Sequence, residues 1–348
     1  MAFRLIMIEV FSSGSHGLRS NDIDKRGGFP GRPSQASDRG KLYTTAMTKL
    51  QTPEFALRNG ELVPWRDAVL HVGCEGVNRG LSVFEGIKGY WQANGTFGLV
   101  ELRKHYNRLL RSARLLHIPC PWSFEAFEAG TFTLIKSLIS RDQDMWVRAT
   151  LFVVEGHWGE GTRADLIMTA YHQDKTPPSV INLGISTWQR SSDNSLPYRI
   201  KSAANYQVGR LARIEGRAQE CEDMILLNQS GRVAEATGSA VLIVRDKTVI
   251  TPCHTEGALE SITVDCVESI ARSTNVPFVR RPVDRTELPI ADEICICSTL
   301  AEMVPVKTID GFDVDPNGPV LEALRSQFSE IVRGDLEHED IAITEVPM

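Results

Sequence analysis

No stretch of about 18 consecutive apolar residues occurs in this 348-residue chain, which excludes a membrane-spanning helix. Positive charge is not in excess either. With 38 Lys and Arg against 44 Asp and Glu, the formal net charge is −6, so the basic surface that nucleic acid or acidic lipid would require is missing. The seven cysteines (Cys74, Cys120, Cys221, Cys253, Cys266, Cys295 and Cys297) form no C-x-x-C pair, so no zinc site, dithiol motif or other metal centre is expected. An odd number of dispersed thiols predicts a reducing, cytoplasmic compartment. The apolar residues 1–11 have too short a core and no small-residue cleavage site for a signal peptide.

What remains has the composition of a globular protein, 42% hydrophobic and 24% charged, with a length that suits two domains. Residues 1–46 form an extension whose later part is rich in Ser, Gly, Arg and Asp without periodicity, and the extension is expected to be disordered, with Met47 as a possible biological start. Strand signals at 56–58 and 62–65 flank Asn59-Gly60, the strongest short hairpin signal, and 69–72, 84–91 and 97–102 predict further strands. Helical spacing covers 102–117 and, behind the N-cap candidate Ser123, 124–140. Strands at 145–155 and 165–171 enclose GHWGEG (156–161), which lacks a following Gly-Lys-Ser/Thr and reads as a hairpin or lid. Residues 173–180, with Pro177-Pro178, predict a linker between a small α/β domain (47–172) and a larger one (181–348). In the latter the pattern predicts strands at 181–188, 224–227, 232–234, 240–244, 278–281 and 293–298, and helices at 201–218, 261–273 and 320–332.

Residues 198–206 read YRIKSAANY and 233–240 read VAEATGSA. Lys201 can bond the aldehyde of pyridoxal phosphate, Tyr206 can donate to its phenolic oxygen, and Glu235 can meet its pyridine nitrogen. An acidic partner keeps that nitrogen protonated and the ring electron-withdrawing, which suits transamination. None of these residues is diagnostic alone.

Six pieces in a fixed order carry a resemblance: SVFEGIKGY (82–90), HYNRLLRSA (105–113), KSAANY (201–206), EATG (235–238), LESITVD (259–265) and STLAEMVPV (298–306). The chain resembles the class IV aminotransferases, the fold-type-IV pyridoxal phosphate enzymes, and is most similar to their branched-chain amino acid members. The resemblance implies an α/β (α+β) fold with a small antiparallel-sheet domain and a larger barrel-like one. It implies Lys201 as catalytic lysine and Glu235 as ring-nitrogen partner. Tyr206 would serve the ring oxygen, and Arg108, Ser261, Ile262, Thr263 and Thr299 the phosphate; a helix start at 262–263 suits an anion. Phe84, Gly86, Trp146, Arg148, Leu300 and Ala301 would border the substrate, with Arg148 reading the side-chain carboxylate of glutamate and 2-oxoglutarate. The expected activity is ping-pong transamination between an apolar L-amino acid and 2-oxoglutarate. The expected assembly is a homodimer in which one subunit's lid reaches the other's site.

Some positions depart from the family pattern. Ser261 replaces a glycine and Ala240 an asparagine, neither removing a charge. Trp146 and Arg79 stand where two tyrosines are usual, and Trp is a donor only while Arg adds a fixed charge. Arg79 either joins the substrate carboxylate site or pairs with a nearby acid such as Glu75. D-amino acid or (R)-amine transamination and aminodeoxychorismate lyase chemistry therefore stay open as alternatives on the same scaffold, and a non-catalytic relative of the fold as a more distant one.

Overall fold

A computed structural model of the chain describes residues 51–141 and 143–348; the expected extension over 1–46 lies outside the described residues. β1 (Phe55–Arg58) and β2 (Glu61–Pro64) form the hairpin around Asn59 and Gly60, both at positive φ (53° and 90°). The expected strand at 69–72 is absent. Among the described residues no neighbouring strand pairs with it, and Val69 and Val72 stay exposed. The short α1 (Glu75–Asn78) occupies the next segment. β3 (Ser82–Trp91) and β4 (Phe97–Val100) are followed by α2 (Leu102–Leu115) and α3 (Phe124–Leu138), the latter capped by Ser123, whose Oγ accepts from the Ala126 N–H. β5 (Asp144–His157) and β6 (Glu160–Gln173) make a long hairpin that turns at Trp158 and Gly159, so GHWGEG is its tip.

The second half opens with β7 (Ile181–Gln189). The helix expected from Lys201 begins only at Gln207, as α4 (Gln207–Ala218), after a single 3₁₀ turn over Ala203–Tyr206. The cause is backbone competition. The Lys201 carbonyl, which would accept from the N–H four residues on in a helix starting there, accepts instead from the Phe84 N–H (2.9 Å), while the Lys201 N–H donates to Ser112 Oγ (3.0 Å). β8 (Asp223–Leu227), β9 (Val233–Ala236), β10 (Ala240–Arg245) and β11 (Thr248–Thr251) precede α5 (Ile262–Ser273). Then come β12 (Phe278–Arg280), β13 (Glu293–Ser298), β14 (Glu302–Ile309), β15 (Phe312–Asp313), α6 (Pro319–Val332) and β16 (Ile343–Val346).

The strands form one seven-stranded sheet, β16-β4-β3-β5-β6-β1-β2, and one nine-stranded mixed sheet, β12-β11-β10-β13-β14-β7-β8-β9, with β15 on β14. Residues 174–180 carry no helix or strand. The division after them is not clean, however, because β16 returns to pair with β4 in the first sheet. β3 connects the cores: Val83 and Ile87 pack with α2 and α3, whereas Tyr90 packs with α5 and α6. The bridge between Val83 and Ser202 then brings the Lys201 segment against the start of β3.

Candidate active site

Arg108 projects from α2 and is buried. Its Nε and Nη2 donate to Glu85 Oε1 and Oε2 (2.7 and 2.8 Å), a bidentate pair that fixes the guanidinium plane. Its Nη1 donates to the Glu260 carbonyl (2.6 Å), on the segment leading into α5. His105, one helical turn earlier, places Nδ1 2.7 Å from Glu85 Oε2. Burial alone would raise the Glu85 carboxyl, but the adjoining Arg108 charge and hydrogen bonds, with His105, hold it well below the ordinary carboxylate range. Burial pushes His105 down, against the pull of Glu85, so the imidazole is neutral at ordinary pH. Sequence reasoning missed Glu85 and His105, although E of FEG and the i, i+3 spacing of His105 and Arg108 on one helix face were in view.

Ser261 sits at φ −90°, which suits serine as well as glycine, and caps α5 through Oγ and the Val264 N–H (3.3 Å). The N–H groups of Ile262 and Thr263 thus remain as first-turn donors at the positive end of the helix. These residues, with Arg108, Lys201, Tyr206, Glu235, Ala240 and Thr299, line one cavity. Lys201 Nζ lies 2.9 Å from the Tyr206 hydroxyl. Glu235 on β9 is buried; its Oε1 meets Arg190 Nη2 (2.8 Å) and its Oε2 accepts from the Leu259 N–H (2.9 Å). Arg190, itself buried, was also missed, since nothing in its local sequence points to β9.

A second cavity of about 370 Å³ adjoins the first, sharing Lys201, Tyr206, Gly238, Ser239, Ser298 and Thr299. Phe84, Gly86, Trp146, Arg148, Leu300 and Ala301 line it. Phe84 lies 5.1 Å from the Tyr206 ring, and Arg148 Cζ stands 3.9 Å over Phe84. Arg148 has no acidic partner among the described residues, and burial pushes its pKa down. Trp146 stacks on Tyr171 (5.6 Å, 29°) and covers Gly86, where an added Cβ would come within 2.8 Å of the indole Nε1. Only a glycine admits the indole so closely. The 299–301 turn joins β13 to β14. Buried Lys88 secures it, donating to Glu302 Oε1 (2.6 Å) and the Leu300 carbonyl (3.4 Å).

Arg79 is not among the residues lining either cavity. Its Nε is 3.6 Å from Glu75 Oε1 and its Cζ 4.1 Å over the exposed ring of Trp158, at the β5–β6 tip. Larger hollows of about 810 and 620 Å³ border the β3–β4 hairpin and contain none of the constellation, so size does not mark the site here. No group of three or more His, Cys, Asp or Glu side chains among the described residues could hold a metal, and no helix among them is long and apolar enough to cross a membrane.

An amine beside a phenol, a buried carboxylate and an anion corner built from a guanidinium and a helix start are the parts a pyridoxal phosphate site requires, and these residues fit that group. The family model for amino-transferase class IV matches residues 82–309. The branched-chain-amino-acid aminotransferase of Escherichia coli (strain K12) is 30% identical over 291 residues, 80% of this chain and 93% of that protein. The crystal structure of the branched-chain amino acid aminotransferase from Thermobaculum terrenum in its PLP form superposes with a TM-score of 0.79 at 31% identity, covering 85% of this chain and 99% of that one. The T.th. branched-chain amino acid aminotransferase complexed with N-(5'-phosphopyridoxyl)-L-glutamate gives 0.79 at 27% identity, covering 85% and 99%. The fold and site thus define a pyridoxal-phosphate-dependent transferase of amino groups. The chain belongs to the class IV aminotransferases.

Proposed function

We propose that this aminotransferase exchanges the amino group of an L-amino acid with an apolar side chain against 2-oxoglutarate, in two half-reactions at one site. The observation that carries the reading is the position of Lys201 Nζ, 2.9 Å from the Tyr206 hydroxyl, where the cavity walled by Arg108 and the α5 start meets the one walled by Phe84, Trp146 and Arg148. Pyridoxal phosphate, when bound, supplies the aldehyde and the electron-withdrawing ring that make the α-proton of an amino acid removable. Lys201 would take the proton from the Cα of the donor amino acid in one half-reaction and deliver a proton to the corresponding carbon derived from the 2-oxo acid in the other. Glu235 holds a proton at the ring nitrogen, and Arg190 with the Leu259 N–H keeps its carboxylate in place.

Arg108, Ser261, Ile262, Thr263 and Thr299 hold the phosphate. Phe84, Gly86, Trp146, Leu300 and Ala301 shape a largely apolar pocket for the side chain. Arg148, lacking an acid of its own, receives the distal carboxylate of 2-oxoglutarate. The relative crystallised with a phosphopyridoxyl-glutamate adduct supports that choice of acceptor.

The assembly we propose is a cytoplasmic homodimer. Val69, Val72, Val77 and Trp158 expose apolar side chains, Trp158 against Arg79, and a second copy covering such surface would remove it from water.

The test follows the visible absorbance of pyridoxal-phosphate-loaded protein as L-leucine, L-glutamate, D-alanine and (R)-1-phenylethylamine are added separately. Lys201→Ala serves as the control. Bleaching by L-leucine and L-glutamate is expected. Bleaching by D-alanine or the amine alone would overturn the substrate assignment and keep the cofactor chemistry, with Trp146 the first residue to revert.

A further inference from the structure

Two cations at the candidate pocket, Arg148 and Arg213, belong to none of the six matching pieces, and the second has no part in the reading above. Arg213, on α4, lines the same cavity as Arg148, Phe84 and Trp146. Two of its five N–H donors are engaged: Nε donates to Thr237 Oγ1 (2.6 Å) and Nη2 to Asp223 Oδ2 (3.0 Å). Thr237 and Asp223 are buried and bonded to one another, so they hold the guanidinium in a fixed plane. Nη1 has no acceptor among the described residues.

The surroundings favour an anion. Among the described residues no Asp or Glu lines this cavity, which carries Lys201, Arg148 and Arg213. Asp223 offsets one charge, but its second oxygen is occupied by the Thr237 hydroxyl and the Met224 N–H. Gly238 separates Arg213 from the Tyr206 ring: a Cβ there would lie 3.8 Å from the ring and 4.0 Å from Arg213 Nη2. The glycine keeps open a passage between ring and guanidinium that even a modest side chain would fill. Arg148 reaches the cavity from β5 and Arg213 from α4, so a ligand meets fixed cations on two walls.

We propose that Arg213 is a specificity-determining residue, a second seat for the distal carboxylate of dicarboxylic amino acids or 2-oxo acids. This rests on reading the cavity as the substrate pocket of an aminotransferase. The remaining donors of Arg213 form charge-assisted hydrogen bonds with that carboxylate, while Thr237 and Asp223 keep the side chain from reorienting. Substrates ending in an apolar group forgo those bonds.

Calorimetric titration of the pyridoxal-phosphate-loaded full chain with adipate and hexanoate tests the proposal without turnover, because the two differ only in the second carboxylate. The wild type should prefer adipate by tenfold or more. Arg213→Gln should cut that preference at least fivefold, and Arg213→Lys should restore part of it. Gly238→Ala, which leaves the guanidinium and its partners untouched, should cut it as well by narrowing the passage. A preference within twofold of wild type in both Arg213→Gln and Gly238→Ala, or no preference in the wild type, would overturn the proposal. Failure of the aminotransferase reading shows separately, as wild-type absorbance unmoved by L-leucine and L-glutamate.

Discussion

The two ends of the site differ in how completely their charges are matched. Around Arg108 every buried charge has its partner inside the chain: Glu85 takes two guanidinium donors and His105, and Glu260 supplies a carbonyl. Around Arg148 the matching stops. That guanidinium rests on Phe84 with no carboxylate partner among the described residues, and Trp146 leans on Tyr171 above a glycine. The first region is organised before any ligand arrives and can hold a permanent occupant. The second keeps an unsatisfied cation that a transient, anionic ligand can satisfy and then release.

The largest expected effect breaks the matched end. Arg108→Ala leaves Glu85 buried with only a neutral imidazole, which should cost about 3–5 kcal/mol in denaturant unfolding. Adding Glu85→Gln should recover part of the loss. A single variant within 1 kcal/mol of wild type would show that this region is not locked by charge, 1 kcal/mol being about the usual point-mutant effect.

Gly86→Ala pushes a methyl against the Trp146 indole and should cost about 1–3 kcal/mol while displacing Trp146. The tryptophan emission should shift and KM for the amino acid should rise; an unchanged emission spectrum would count against the close approach.

Acid sharpens the contrast through two groups at the matched end. His105 is depressed from its ordinary 6.5, so the unfolded chain binds its proton first and stability declines as pH falls below about 6.5. The depressed Glu85 contributes stability that is complete above its ordinary 4.5 and is lost as pH falls through its lower folded value. Unfolding curves between pH 7 and pH 3 should therefore steepen in two stages. In Glu85→Gln the lower stage should be reduced.

At the unmatched end, Arg148→Met should change stability least, within about 0.5 kcal/mol or slightly upward, because it removes a cation that burial penalises. Its effect belongs instead in KM for 2-oxoglutarate, which should rise roughly tenfold, equivalent to about 1.4 kcal/mol of binding. A destabilisation equal to that of Arg108→Ala would erase the distinction between the two ends.

The sequence made the matched end the more legible of the two. Lys201, Tyr206, Glu235 and Arg108 lie on three short motifs far apart along the chain, and the fold brings them to the walls of one cavity. What local pattern could not supply was their partners. Glu85 and Arg190 act through contacts made by other strands and helices, and periodicity does not say which distant atom a charged group will meet. The same limit explains the helix drawn six residues too early at Lys201, since good local propensity lost to hydrogen bonds with Ser112 and Phe84. Arg79 is a third instance. Of the two readings open for it, the pairing with Glu75 is the one found within the chain, joined by Trp158 from a hairpin tip that local sequence could not place.

The return of β16 to β4 gives the protein a particular order of assembly. Val346 pairs with Phe97 and Ile343 with Val100, so the first sheet, which carries Phe84, Gly86, Trp146 and Arg148, gains its closing strand only after residues 343–346 have been synthesised. Until then β4 is an open edge able to recruit a strand from another chain. Maturation of the pocket during synthesis is thereby tied to the emergence of β16, and a nascent chain stalled short of that strand would be exposed to aggregation at that edge.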